Sequence, residues 1–214
     1  MLPLGGAGRL SPASRISAAD WLAELPGIAA EAGARSGTED ALSALTRAAR
    51  DLLGDREAAA RAGALEAGVR DYRVAGVFLI APDRRHNVLV ANQGFPSEQR
   101  RLSIPIAWNN PGQVVARERF VLLENTDEHS EFRQFLKTSK MGSSLYMPIF
   151  AGGAMIGQIV AAAQARWTYS KADIAPMSAL AGLASLVWDK TGGPGWWAAD
   201  HPASDAWYAE EQTI

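Results

Sequence analysis

No cysteine occurs anywhere in the 214 residues. That absence removes disulfides, thiolate metal sites, thiol nucleophiles and thioether attachment of a pigment together. Any chemistry must therefore use other groups. No apolar run approaches the roughly 20 residues needed to cross a bilayer, so no membrane partner is expected. Neither sign of charge dominates. A net charge of −2 and a pI of about 5.9 leave no basic field to attract phosphate backbones, which argues against a nucleic-acid partner. A secretory leader is not evident either. Residues 1–20 carry Arg9 and Arg15 and no acid before Asp20, but Gly5, Gly6, Gly8 and Pro12 interrupt the apolar stretch that a signal needs. A cytoplasmic location is expected.

What is present is ordinary globular material. Apolar residues make up 48% and charged residues 21%, enough to offset ordering entropy by burial in one core. Composition divides the chain into a flexible leader over 1–37, a body over 38–190 and an acidic, Trp-rich tail over 191–214. The leader holds one apolar patch, Trp21, Leu22, Leu25 and Ile28, able to form a short docking helix. From Thr38 the sequence is dense in helix formers, and Ser36 with Glu39 has capping-box spacing. Leu42, Leu45, Ala49 and Leu52 share one helical face, which predicts a buried stripe. Gly54 breaks the run, with Ala58, Leu65 and Val69 continuing a weaker apolar face.

At Val74 helical spacing gives way to strand-like runs: 74–81, 88–92, 102–106 and 120–124, with a short helix opening at Pro111 and Gly112. Residues 125–144 should hold one short helix around Phe132, Phe135 and Leu136. Strands over 145–150 and 155–164 flank Gly152 and Gly153, which predicts a tight hairpin. Ile174, Met177, Leu180, Ala184, Val187 and Trp188 mark a last helix capped by Asp173. Paired strands with helices at both ends predict an α+β class with one mixed or antiparallel sheet.

Four segments occur in a set order: Gly76-Val77-Phe78-Leu79-Ile80-Ala81-Pro82-Asp83, Pro111-Gly112-Gln113-Val114-Val115-Ala116, Leu145-Tyr146-Met147-Pro148-Ile149 and Ile156-Gly157-Gln158-Ile159-Val160, which leads to Tyr169-Ser170-Lys171-Ala172-Asp173. Taken together over about 40–190, they resemble the GAF domain family. The resemblance implies a central antiparallel sheet with the terminal helices packed on one face and a ligand pocket on the other. It also implies a homodimer through the terminal helices, giving the Leu42 and Leu180 stripes a partner. Family members that hold a bilin covalently, or that reduce methionine sulfoxide, use a Cys, and neither chemistry has one here. Against the cyclic-nucleotide pattern, Tyr169 and Asp173 match, but Ile174 replaces a Glu and the Asn-Lys pair is missing.

The pocket implied by the resemblance is lined by Phe78, Ile80, Trp108, Gly112, Gln113, Phe120, Leu122, His129, Phe132, Tyr146, Gln158 and Val160. Strand alternation sets Phe78 with Ile80, and Gln158 with Val160. The helix start at Gly112 and Gln113 is expected to offer backbone N–H groups to a small anion or carboxylate. Haem would need His86, His129 or His201, each more simply a surface residue. Asp127, His129, Ser143 and Ser144 lack the framing of a hydrolytic centre. Glu124, Asp127, Glu128 and His129 lack the spacing of a metal site. The arginines at 84, 85, 100 and 101 read as a solvated face.

In the tail, Trp196, Trp197, Trp207 and Tyr208 sit among five acids opposed only by Lys190, net −4 over 189–214. Such aromatics should dock, on a protein partner or on the chain's own body. The expectation is a sensory domain, not an enzyme, that binds a small metabolite or anion and signals by contact. A ligand-free dimeric adaptor or a non-covalent haem or other cofactor carrier are the alternatives. The cofactor is unknown, and no catalytic or metal-ligating residue is assigned.

Overall fold

The computed structural model describes residues 15–96, 99–129, 140–200 and 207–208. Helix α1 (Ala18–Gly33) comes first, its start satisfied by Ser17, whose side chain accepts from the Asp20 N–H. Trp21, Ile28 and Ala32 fall on one stripe and are buried against α2 (Thr38–Leu52) and α4 (Ile174–Lys190). The flexible leader expected over 1–37 is thus corrected from residue 18 onward, where it is a packed helix; residues 1–14 lie outside the described residues. The short docking helix expected from Trp21, Leu22, Leu25 and Ile28 lies within α1, which is longer than that patch alone.

In α2, Leu42, Leu45 and Ala49 are buried as the periodicity requires, with acids Glu39 and Asp40 in the first turn, where the helix dipole favours them. The capping box expected from Ser36 and Glu39 does not form. Gly37 is the N-cap without a side-chain bond, and the Glu39 carboxylate turns instead to Arg101 at 2.7 Å. After Gly54, at φ +79°, no second helix follows; the chain makes one short 3-10 turn at Ala58–Ala60 before the sheet.

The strands are β1 (Arg73–Ile80), β2 (His86–Gln93), β3 (Leu102–Pro105), β4 (Val121–Leu123), β5 (Ser143–Ala151), β6 (Ala154–Ala163) and β7 (Trp207–Tyr208). Their order is β4-β5-β6-β1-β2-β3-β7, and every pairing is antiparallel except the two-residue β7 beside β3. The expected α+β class with an antiparallel sheet is the observed one. Gly152 and Gly153, both at positive φ, close the β5–β6 hairpin with Ala151 opposite Ala154, as their sequence predicts. The central strand β1 is buried along seven of its eight residues because both faces are covered.

Alternation along the strands sorts the core into two layers. On one face Val77, Leu79, Val90, Met147 and Ile159 meet α1, α2 and α4. On the other, Phe78, Ile80, Leu89, Ile104, Tyr146 and Val160 pack with Val114 of α3 (Asn109–Arg117). The Leu42 and Leu180 stripes, expected to need a dimer mate, are covered within the chain itself.

The start of the tail folds back on the body, and residues 201–206 and 209–214 lie outside the described residues. Helix α5 (Gly193–Asp200) buries Trp197, whose indole N–H donates to the Ile80 carbonyl at 2.8 Å. Trp196 lies edge-on to Trp188 with ring centres 6.5 Å apart. Arg101, expected on a solvated face, is 4% exposed and lies over the Trp196 ring at 5.6 Å while paired with Glu39. It therefore ties the tail to the start of α2.

Candidate site: a polar cleft between α3 and the sheet edge

The short helix α3 begins at Asn109, two residues before the expected start, with Trp108 as N-cap in an extended conformation. Pro111 is its third residue and needs no N–H there. The N–H of Gly112 donates to the Trp108 carbonyl at 2.9 Å, so the anion site expected at Gly112 is corrected: that donor is used by the helix. Gly112 is demanded by packing, because a Cβ at this position would lie 2.4 Å from the carbonyl carbon of Ala107. Below the helix, the fully buried Gln158 of β6 donates from Nε2 to the Pro111 carbonyl at 3.2 Å, strapping α3 to the sheet.

Asn110, Gln113 and Arg117 recur at three and four residues and so share one face of α3. The chain leaves the helix through Glu118 in a left-handed conformation, passes the half-exposed Phe120 and enters the edge strand β4. A 3-10 turn at Thr126–Glu128 follows. It is braced on several sides. The Thr126 hydroxyl donates to the Met141 carbonyl at 2.6 Å, and the Asp127 N–H donates to the Asn125 side chain at 3.1 Å. Asp127 pairs with Arg166 at 2.5 Å and with Lys140. Hydrogen bonds from Lys140 and then Arg166 hold its carboxyl below the usual carboxylate range. The turn thereby presents Glu128 and His129 beside α3.

These elements enclose a cleft of about 420 Å³ lined by Asn110, Gln113, Arg117, Phe120, Val121, Leu122, Leu123, Glu128 and His129. Of the residues expected to line a pocket, the structure brings Gln113, Phe120, Leu122 and His129 together here. Phe78, Ile80, Tyr146 and Val160 are instead packed core beneath α3, and neither they nor Trp108, Gly112 and Gln158 line the cleft. Phe132 lies outside the described residues. Burial pushes the Tyr146 phenol above its ordinary value, an effect opposed by Ser144 and Asn110. Asn110, Arg117, Val121, Leu123 and Glu128 were not anticipated as pocket residues. The spacing back and forward from Gln113 along α3 was the signal that could have found the first two.

The other candidates disperse. Ser143 donates its hydroxyl to the Leu123 carbonyl and accepts from the Tyr169 N–H, which commits it to the fold. Asp173 is 4% exposed and accepts from Arg15 at 2.5 Å, from the Gly54 N–H at 2.8 Å and from the Ser170 N–H at 2.9 Å. It belongs to a capping box with Ser170 on the preceding 3-10 turn and makes no side-chain cap bond to α4, which corrects its expected role. His86 opens β2, His129 is exposed at the cleft, and His201 lies outside the described residues. Among the described residues, no group of three or more His, Asp and Glu gathers in a way that could hold a metal ion. Nor is any helix among them long and apolar enough to cross a membrane.

The family model for the GAF domain matches residues 37–188. The chain belongs to the GAF domain family. Solved structures share the fold. The GAF domain of a phosphoenolpyruvate-protein phosphotransferase from Acinetobacter aligns at 19% identity and a TM-score of 0.64, covering 88% of this chain and 98% of that one. Its counterpart from Coxiella burnetii aligns at 20% identity and 0.62, covering 84% and 99%. A free methionine-R-sulfoxide reductase from Neisseria meningitidis aligns at 19% identity and 0.64, covering 82% and 92%. No curated protein matches the chain. The reductase corrects one expectation. The same GAF fold serves as an enzyme, so the reading of this chain as no catalyst does not stand.

Proposed function

We propose that this GAF domain binds a small polar metabolite in the cleft between α3 and β4 and passes its occupancy to a partner by contact. The observation that carries this reading is the cleft itself: about 420 Å³, walled by side chains from a helix, a strand and a braced turn. Its size falls toward the lower end of ligand sites, which run from about 300 to 1,000 Å³. Its lining is mainly polar, with Asn110, Gln113, Arg117, Glu128 and His129 set against Phe120 and the strand residues Val121, Leu122 and Leu123, which suits a polar guest rather than an apolar one.

Output falls to the outer surface of the terminal helices. Leu22 on α1 and Leu186 on α4 are 66% and 67% exposed, and pairing of two copies through these helices is part of the proposal. A ligand-free adaptor is the second reading, favoured by the packing of Phe78, Ile80, Leu89, Tyr146 and Val160 that fills the space under α3.

Thermal unfolding of the full chain against a panel of metabolites and anions, free methionine sulfoxide included, separates the two. A ligand at a hundredfold excess over its dissociation constant stabilises by about 2.7 kcal/mol. For a chain of this size that raises Tm by roughly 5–10 °C. A panel without any upshift, together with one protein that co-purifies in fixed ratio, supports the adaptor.

A further inference from the structure

We infer that the cleft takes a small zwitterion, a molecule with one carboxylate and one ammonium group such as a free α-amino acid. This rests on the sensing reading and names its ligand class. The walls carry opposite charges. Arg117 projects from the last turn of α3, and Glu128 stands on the turn that follows β4. Both are exposed, and Arg117 makes no ion pair among the described residues. Glu128 holds the Asn125 amide at 3.0 Å through one carboxylate oxygen, which leaves the other oxygen for a ligand.

Charge logic then discriminates among guests. A simple anion gains from Arg117 and is repelled by Glu128, and a simple cation meets the reverse. A molecule bearing both groups satisfies both walls, and a guanidinium is the side chain best shaped to hold a carboxylate. Amide groups from Asn110, 4% exposed, and from Gln113 line the ground between. Phe120, Val121 and Leu123 give an apolar strip for the substituent on the α-carbon.

Isothermal titration of the full chain with the twenty L-amino acids, with the matching carboxylic acids that lack the amine and with the matching amines that lack the carboxylate tests this. At least one amino acid should bind roughly tenfold or more tighter than either of its halves, the loss expected when one charge-assisted hydrogen bond is removed. Arg117→Gln and Glu128→Gln, both at exposed positions, should each weaken that amino acid by a similar factor with Tm unchanged. Should the carboxylic acids bind as tightly as the amino acids, and Glu128→Gln leave or improve their affinity, the zwitterion is wrong while the sensing reading stands. Should neither these compounds nor any in the wider metabolite panel bind, both fail.

Discussion

Asp173 does more for this fold than its place beside a helix start suggests. One buried carboxylate collects an arginine from before α1, a backbone N–H from the end of α2 and another from the turn that leads into α4. Asp173→Ala removes the acceptor from all three, and leaving buried donors unsatisfied costs about 2–4 kcal/mol. Urea unfolding reads this directly, and a loss below about 1 kcal/mol would show the hub to be dispensable. Asp127 makes a different prediction. Its folded pKa lies below the unfolded value of about 3.9, so its pairs with Lys140 and Arg166 stabilise fully above that value. The contribution fades as pH falls through the folded value. The stability difference between the protein and Asp127→Asn should stay constant above about pH 5 and close only in more acid solution. A difference that closes between pH 6 and 8 would assign it to another group.

Among the elements, α5 is the most informative, because a tail of aromatic residues could have been a free recognition peptide. Its Trp197 is inserted under the end of β1, with the indole bonded to the Ile80 carbonyl. Trp197→Ala should cost about 3–5 kcal/mol, whereas Trp197→Phe, which keeps the ring volume closer and loses the N–H, should cost about 1–3 kcal/mol. Chemical denaturation followed by tryptophan fluorescence checks both, and wild-type stability in Trp197→Ala would mean the tail is not docked in solution. The strands were readable from their β-branched runs, and α2 and α4 from their apolar spacing. The apolar patch of Trp21, Leu22, Leu25 and Ile28 signalled α1, but the Gly, Ala and Ser around it hid the helix's full length over Ala18–Gly33. Gly54 ends α2 as its sequence suggests, but the weaker apolar face of Ala58, Leu65 and Val69 does not make a further helix: that segment folds as a short 3-10 turn and irregular chain. The capping box at Ser36 failed for a reason outside local sequence: Glu39 has a buried arginine sixty-two residues away to satisfy.

At the scale of the whole molecule, the GAF fold was legible while the position of its cleft was not. Sequence alternation sets Phe78 with Ile80 and Gln158 with Val160, and the structure gathers Phe78, Ile80 and Val160 with Tyr146 on one sheet face, but a shared face does not tell whether α3 sits on it closely or stands off. The contact that holds α3 close is Gln158 Nε2 donating to the Pro111 carbonyl, while the bare Cα of Gly112 lets the chain turn tightly past Ala107 at the helix start. The opening consequently moves to the edge, where α3 ends and β4 begins. Leu22 on α1 and Leu186 on α4 stay exposed, and the proposed pairing of two copies is tested there. Sedimentation velocity on the full chain should show a dimer that Leu186→Glu dissociates without loss of fold, and a monomer at high concentration would contradict it. The central claim is that the cleft is where a ligand sits. Isothermal titration of the best ligand from the thermal panel into the protein and into Gln113→Trp, which fills the cleft without changing its charge, tests it most directly. The account predicts at least a tenfold loss of affinity with the fold intact, and undiminished binding to the filled cleft would contradict it.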